Sequence, residues 1–142
     1  MSRGFTSIEV LLTIVLIGVL TGFSAVVYQS LQNRTLLDTT VTAVRTSLYR
    51  AQMLARTGYQ DGAWGVYATT SSVIVFRGDS FASRNTTFDE LTTIPDTLVL
   101  GGVTEVVMEH LTGLPDTTGV LTIASPDGGT RSVTITNEGL LN

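Results

Sequence analysis

The chain contains no cysteine and no lysine, and it has one histidine and three prolines among 142 residues. Without cysteine there is no disulfide framework, no thiolate metal site and no thiol nucleophile. A domain of this chain held outside a cell would rely on its core and on assembly for stability. The lone histidine, His110, has no second imidazole with which to complete a metal site, and no nucleophile-elbow motif accompanies it. All eight basic residues are arginine against twelve acidic residues, giving a net charge of -4. That balance argues against a strongly basic nucleic-acid surface. No catalytic residue, no metal site and no cofactor is expected, and the chain does not read as an enzyme.

What is present is concentrated at one end. Gly4 to Val27, GFTSIEVLLTIVLIGVLTGFSAVV, is a nearly unbroken apolar run with a single carboxylate, Glu9, near its start. From Val10 to Val27 the run supplies about 18 residues, or about 27 Å of helix, close to the thickness of a bilayer's hydrocarbon core. A carboxylate inside such a span costs about 2.5 to 3.5 kcal/mol and marks function, so Glu9 requires a partner. A secretory signal would have a shorter apolar core and a small-residue cleavage site, for which Gly22-Phe23-Ser24 is a poor candidate. A plain signal anchor tolerates the length but leaves the acid unexplained. A third possibility is a cut before the run, after Gly4, that leaves the helix on the mature protein.

The stretch Gly4-Phe5-Thr6-Ser7-Ile8-Glu9-Val10-Leu11-Leu12 resembles the class III signal of type IV prepilins and pseudopilins. The resemblance implies that a prepilin peptidase cuts after Gly4 and methylates the new amino terminus at Phe5. It also implies that Glu9 neutralises the amino terminus of a neighbouring subunit during filament assembly. Elementary electrostatics agree, since a new amine at Phe5 is a cation four residues from Glu9 on the same helix face. Pairing of Glu9 with its own Phe5 amine is the alternative, and the two pairings fit different stages. Ser7 stands where the family usually has a large aliphatic residue, and the helix-breaking proline of many major pilins is absent. Gly18 and Gly22 are candidate points of helix bending, each costing about 1 kcal/mol relative to alanine, or points of close packing between apolar helices.

The organisation expected from this resemblance is a leader at 1–4, a hydrophobic transmembrane and filament-core helix at 5–27, and a globular α+β domain at 28–142. The partners it implies are other pilin subunits, the prepilin peptidase, an inner-membrane assembly platform and, before assembly, membrane lipid. Arg3 should stay cytoplasmic by the positive-inside tendency, leaving a single-pass protein with its C-terminal domain outside. After assembly the subunit would lie in an extracellular pilus or a periplasmic pseudopilus.

From Tyr28 the composition turns polar while helical spacing persists. Leu37, Val41, Val44, Leu48, Ala51 and Ala55 recur at intervals of four and three, with Arg45, Arg50 and Arg56 off the stripe. The spacing predicts that the helix continues to about residue 57 and lays this stripe on a sheet. The β-branched run Thr39 to Thr42 predicts a less rigid junction. Gly58 is expected to cap the helix and Asp61-Gly62 to form the next turn.

Beyond Gly62 the period becomes two. Trp64–Ala68 and Val73–Arg77 read as a hairpin, Gly78 to Thr87 as a polar loop, and Phe88 to Thr97 as a segment that Pro95 bars from a central position. Leu98–Leu100 and Val103–His110 are expected strands around Gly101-Gly102. Val120–Ala124 and Arg131–Thr136 form the clearest hairpin, joined through Ser125 to Gly129. The fold class is α+β and pilin-like: a long N-terminal helix whose apolar half protrudes and whose amphipathic half packs on an antiparallel sheet. Ala51 to Gly58 leading into Trp64-Gly65-Val66-Tyr67 also resembles the helix-to-first-strand passage of minor pseudopilins and minor pilins.

Other clusters have plainer explanations. Asp127-Gly128-Gly129 offers one carboxylate where calcium requires six to eight oxygens. Asp89, Glu90 and Asp96 read as solvated loop charges. Asn33-Arg34-Thr35 and Asn85-Thr86-Thr87 fit a glycosylation pattern by chance. Arg45, Arg50, Arg56 and Arg77 make nucleic-acid binding possible but not indicated, and they serve equally as solubilising charges. Two function classes remain. One is a structural subunit of a pilus or of a secretion or competence pseudopilus; the other is a binding module displayed on a filament or anchor, for DNA uptake or surface adhesion.

Overall fold

The computed structural model describes residues 4–139, with the side chains of 23–27, 29 and 30 outside the description. Residues 1–3, and with them the orientation expected from Arg3, lie outside the described residues, as do the side chains that complete the apolar run at 23–27. The backbone opens with one helix, α1 (Ser7–Arg56), of 50 residues, about 75 Å long at 1.5 Å per residue. It runs without interruption through Gly18, Gly22 and the threonine run. The hydroxyls of Thr35, Thr39, Thr42 and Thr46 each donate to the carbonyl four residues earlier, at 2.8–3.0 Å. That internal bonding satisfies the hydroxyls without water.

The end of α1 is set by local chemistry. Gly58 adopts a φ of 62°, a conformation open to glycine and costly for a β-carbon. Its N–H donates to the Ala55 carbonyl at 3.1 Å, and the Tyr59 N–H donates to the Leu54 carbonyl at 3.1 Å. These two bonds are a Schellman closure, so Gly58 caps the helix as its position predicts. Gln60 and Asp61 follow in left-handed backbone and carry the chain into the first strand.

Seven strands follow: β1 (Trp64–Ala68), β2 (Ser72–Arg77), β3 (Asn85–Thr93), β4 (Val99–Gly102), β5 (Glu105–Met108), β6 (Gly119–Ala124) and β7 (Thr130–Ile135). The fold is therefore α+β, a helix followed by antiparallel strands. The strands form two sheets and not the single sheet expected: one in the order β3-β2-β1-β5, the other in the order β4-β6-β7. The division falls between β4 and β5. Gly102 has a φ of 88° and lies so close to the Val120 carbonyl that a β-carbon would collide with it. The chain leaves the second sheet there and re-enters the first beside β1, with Val66 opposite Val106. Both hairpins form at the expected places, with Val66 opposite Val75 in one and Leu121 opposite Val133 in the other. β3 starts at Asn85, earlier than expected, and stops before Ile94-Pro95. It is an edge strand, and Pro95 lies just beyond its end.

The core lies between α1 and the inner faces of both sheets. All six residues of the predicted helical stripe are buried, together with Trp64, Val75, Met108, Ile123 and Val133. Burying each large apolar side chain contributes about 1.5–3 kcal/mol. Packing on the helix begins near Asn33 and Leu37, whereas Tyr28 and Leu31 are exposed. The protruding part is thus longer than the apolar run itself.

A second small cluster covers the outer face of the first sheet. Phe81 stacks on Tyr67 with ring centroids 3.9 Å apart, meets Phe76 edge-on at 5.6 Å and lies under the Arg84 guanidinium. Ala63 and Val107 complete it. The loop from Gly78 to Arg84 is therefore a packed cover, held where Glu105 accepts the Phe81 N–H at 2.7 Å.

Candidate functional site

The start of α1 brings together Gly4, Phe5, Thr6 and Glu9 around an open concavity. Gly4 to Thr6 are non-helical and exposed. Thr6 is extended, with φ -80° and ψ 149°, and begins the helix as its N-cap. Phe5 is 82% exposed, and nothing lies within 4 Å of a β-carbon built on Gly4. The Gly4–Phe5 peptide therefore sits in accessible extended chain directly before a rigid rod.

Glu9 is the third residue of the helix. Its Oε2 accepts from the Thr6 N–H at 3.4 Å and from the Thr6 hydroxyl at 3.5 Å. This is the glutamate arm of a capping box, and an acid in the first helical turn also suits the helix dipole. The Thr-x-x-Glu spacing was legible, and it identifies a partner for Glu9 that the resemblance alone does not supply. Among the described residues no cation pairs with Glu9.

Every described side chain from Gly4 to Gly22 is exposed. Ile8, Leu11, Leu12, Ile14 and Leu20 are each at least 60% exposed, so the rod is apolar on all sides. Thr13 donates to the Glu9 carbonyl at 2.6 Å, and Thr21 to the Ile17 carbonyl at 2.8 Å. These two hydroxyls need no water. Gly18 and Gly22 have nothing within 4 Å of a built β-carbon. Among the described residues no helix is long and apolar enough to cross a membrane.

The other sequence candidates are dispersed and occupied. His110 lies in the turn after β5, beyond the strand expected to carry it, half-buried and 3.6 Å from Asp61. Asp127 accepts from Ser125, from the Gly129 N–H at 3.3 Å and from Asn33 at 3.3 Å. These bonds, the Ser125 hydroxyl foremost, hold its carboxyl below the usual aspartate range. Among the described residues no group of three potential metal ligands occurs. Asp89 and Glu90 are not loose loop charges. They lie on β3, where Asp89 pairs with Arg84 at 2.9 Å and Glu90 forms a two-toothed pair with Arg50. The hydrogen bond and charge of Arg50 lower the Glu90 pKa, and Glu90 raises that of Arg50. Asp96 alone of the three sits in an exposed turn.

The four arginines considered for nucleic acid do not converge on open solvent. Arg50 is held by Glu90. Arg56 donates to the Thr112 carbonyl at 3.3 Å, and Arg77 to the Gln60 carbonyl at 2.6 Å while lying over the Phe88 ring. The Arg45 Nε is buried. Comparison with protein-family models, with curated proteins and with solved structures returns no match.

Proposed function

We propose that this chain is a structural subunit of a type IV pilus or of a type II secretion or competence pseudopilus. In this reading it is cut after Gly4 by a prepilin peptidase and assembled through α1. The observation that carries the proposal is the apolar rod from Ser7 to Gly22, exposed on every side and continuous with a helix half whose apolar stripe is packed on the sheets. A helix that is hydrophobic all round must be buried by something outside its own fold. Lipid covers it first, and copies of the same rod cover it in the filament.

The details of the helix start suit that sequence of events. An exposed, extended Gly4–Phe5 peptide is the form in which a peptidase takes substrate. Before cleavage Thr6 satisfies Glu9 through two long bonds. After cleavage an amine forms at Phe5, and a cation competes well with such neutral donors. An amine on a neighbouring copy ties two subunits, and an amine on the same chain holds the monomer ready. Contacts of this kind join two different surfaces and need not close, so the assembly grows as a filament.

The test is Glu9→Val in the native host. The variant should enter the membrane and be trimmed to Phe5, as read by mass spectrometry, but yield few sheared filaments. Wild-type filament yield from Glu9→Val would overturn the pairing. Protein that still began at Met1 would overturn the cut.

A further inference from the structure

At the end of α1 remote from its apolar half, about 65 Å from Ser7 along the helix, a cavity of about 380 Å³ opens between the helix and β3. That volume is within the range of small-molecule sites. Three of its lining residues, Tyr59, Trp64 and Phe88, are aromatic. The Trp64 and Tyr59 ring centroids are 5.9 Å apart, and those of Trp64 and Phe88 are 6.2 Å apart, the latter edge-on. Trp64 is 1% exposed, and its indole N–H is already used, donating to the Tyr59 carbonyl at 3.0 Å. The tryptophan therefore backs the wall from within the core and presents almost no surface of its own. Tyr59 is 49% exposed and offers a ring that a ligand can reach.

The rim is polar and electrically balanced. Arg50 and Glu90 form a planar two-toothed pair whose side chains are 54% and 41% exposed. Arg84 cancels the charge of Asp89, the other acid in the lining. An ion pair so exposed adds little to stability. Its fork still fixes a donor plane and an acceptor plane side by side in the same lining as the exposed Tyr59 ring. A ligand matched to this arrangement carries no net charge, has an apolar ring face to lie against aromatic carbon, and has adjacent hydroxyls to donate and accept at the fork. An anion meets Glu90 and Asp89, and a purely apolar molecule strands the fork without partners.

We propose that this cavity binds a neutral saccharide unit, with its ring against Tyr59 and its hydroxyls on the Arg50–Glu90 fork. The site is separate from the start of α1 and does not depend on the filament assignment. Trp64, the single tryptophan of the chain, reports on it directly. The full chain is purified in a zwitterionic, sugar-free detergent and titrated with maltotriose and with triacetylchitotriose, using neutral trialanine as control, while Trp64 emission is followed. At least one trisaccharide should give a saturable change and trialanine none. Glu90→Gln, which keeps the shape of the side chain, and Tyr59→Leu should each weaken binding by roughly tenfold or more, with unchanged circular dichroism. Silence with both sugars up to their solubility limits overturns the proposal. So does binding of trialanine, or sugar binding that survives in folded Glu90→Gln.

Discussion

The two halves of α1 share one backbone and opposite surroundings. In the second half, apolar residues keep to a stripe at spacings of four and three, and the two sheets cover that stripe completely. From Ser7 to Gly22 they occupy every side of the helix, and no described residue covers them. A stripe specifies one neighbour and one orientation. An all-round apolar surface specifies only that the helix will be enclosed, leaving lipid and sister helices equally acceptable. In the proposed reading, that difference lets a single element serve both as the spine of a folded domain and as an external connector.

Paired truncations give the sharpest test of this contrast. Leu48 is 1% exposed and Leu12 is 68% exposed. Leu48→Ala should lower unfolding stability by about 2–5 kcal/mol through lost burial and the cavity left behind. Leu12→Ala should leave the unfolding midpoint unchanged while weakening assembly. A large loss of stability from Leu12→Ala would show that the first half has a partner within its own chain. A fragment beginning at Tyr28 retains Asn33 and everything packed after it, so it should stay soluble without detergent and melt as the full chain does. Precipitation of that fragment would move the boundary between the halves.

The helical stripe, the Gly58 cap and both hairpins were legible because each is a local pattern: a period of 3.6, a glycine where φ must be positive, or two alternating runs around a turn. The second sheet was not legible. Val99–Gly102 and Glu105–Met108 each read as a strand, but no local signal says that they belong to different sheets. The division depends on the approach of Gly102 to the Val120 carbonyl, a contact between residues far apart in sequence. The cover over the first sheet was hidden for a similar reason. In Gly78 to Thr87 the polar residues outvote Phe81, and only the fold brings Tyr67 and Phe76 to it. At the helix start the Thr6-x-x-Glu9 spacing stood in plain view, while in the proposed assembly the group that Glu9 meets belongs to another molecule.

Phe81 extends the comparison to the sheets, since its loop makes a covered surface out of one that would otherwise resemble the first half of α1. Phe81→Ala should cost about 1–2 kcal/mol, less than a full core truncation because the ring is only half-buried. It should also expose Phe76 and Tyr67 to a hydrophobic dye. Unchanged dye binding would mean that the loop does not depend on its aromatic anchor. Gly65→Ala tests the same cover from beneath, because a β-carbon there runs into the Phe76 ring. A drop in the unfolding midpoint similar to that of Phe81→Ala is expected.

The smallest effect separates two glutamates, Glu9 in the first half of α1 and Glu90 on β3 against the second half. Glu90 has a cation of its own chain, and Arg50 lowers its pKa from an ordinary value of 4.5. Glu9 has only Thr6. A carboxylate whose folded pKa lies below its unfolded one stabilises the fold at neutral pH. Between the two values the unfolded chain binds more protons, so the contribution fades as pH falls through that window. Glu90→Gln should therefore lower the melting temperature slightly at about pH 7, and the gap from wild type should close as pH falls below 4.5 and through the lowered folded value. The gap is small because both partners of the pair are half open to water. High salt should narrow it further. A difference that persisted unchanged into acid would assign the contribution of Glu90 to packing on β3 and not to charge, and the contrast between the two acids would then reduce to their neighbours' shapes.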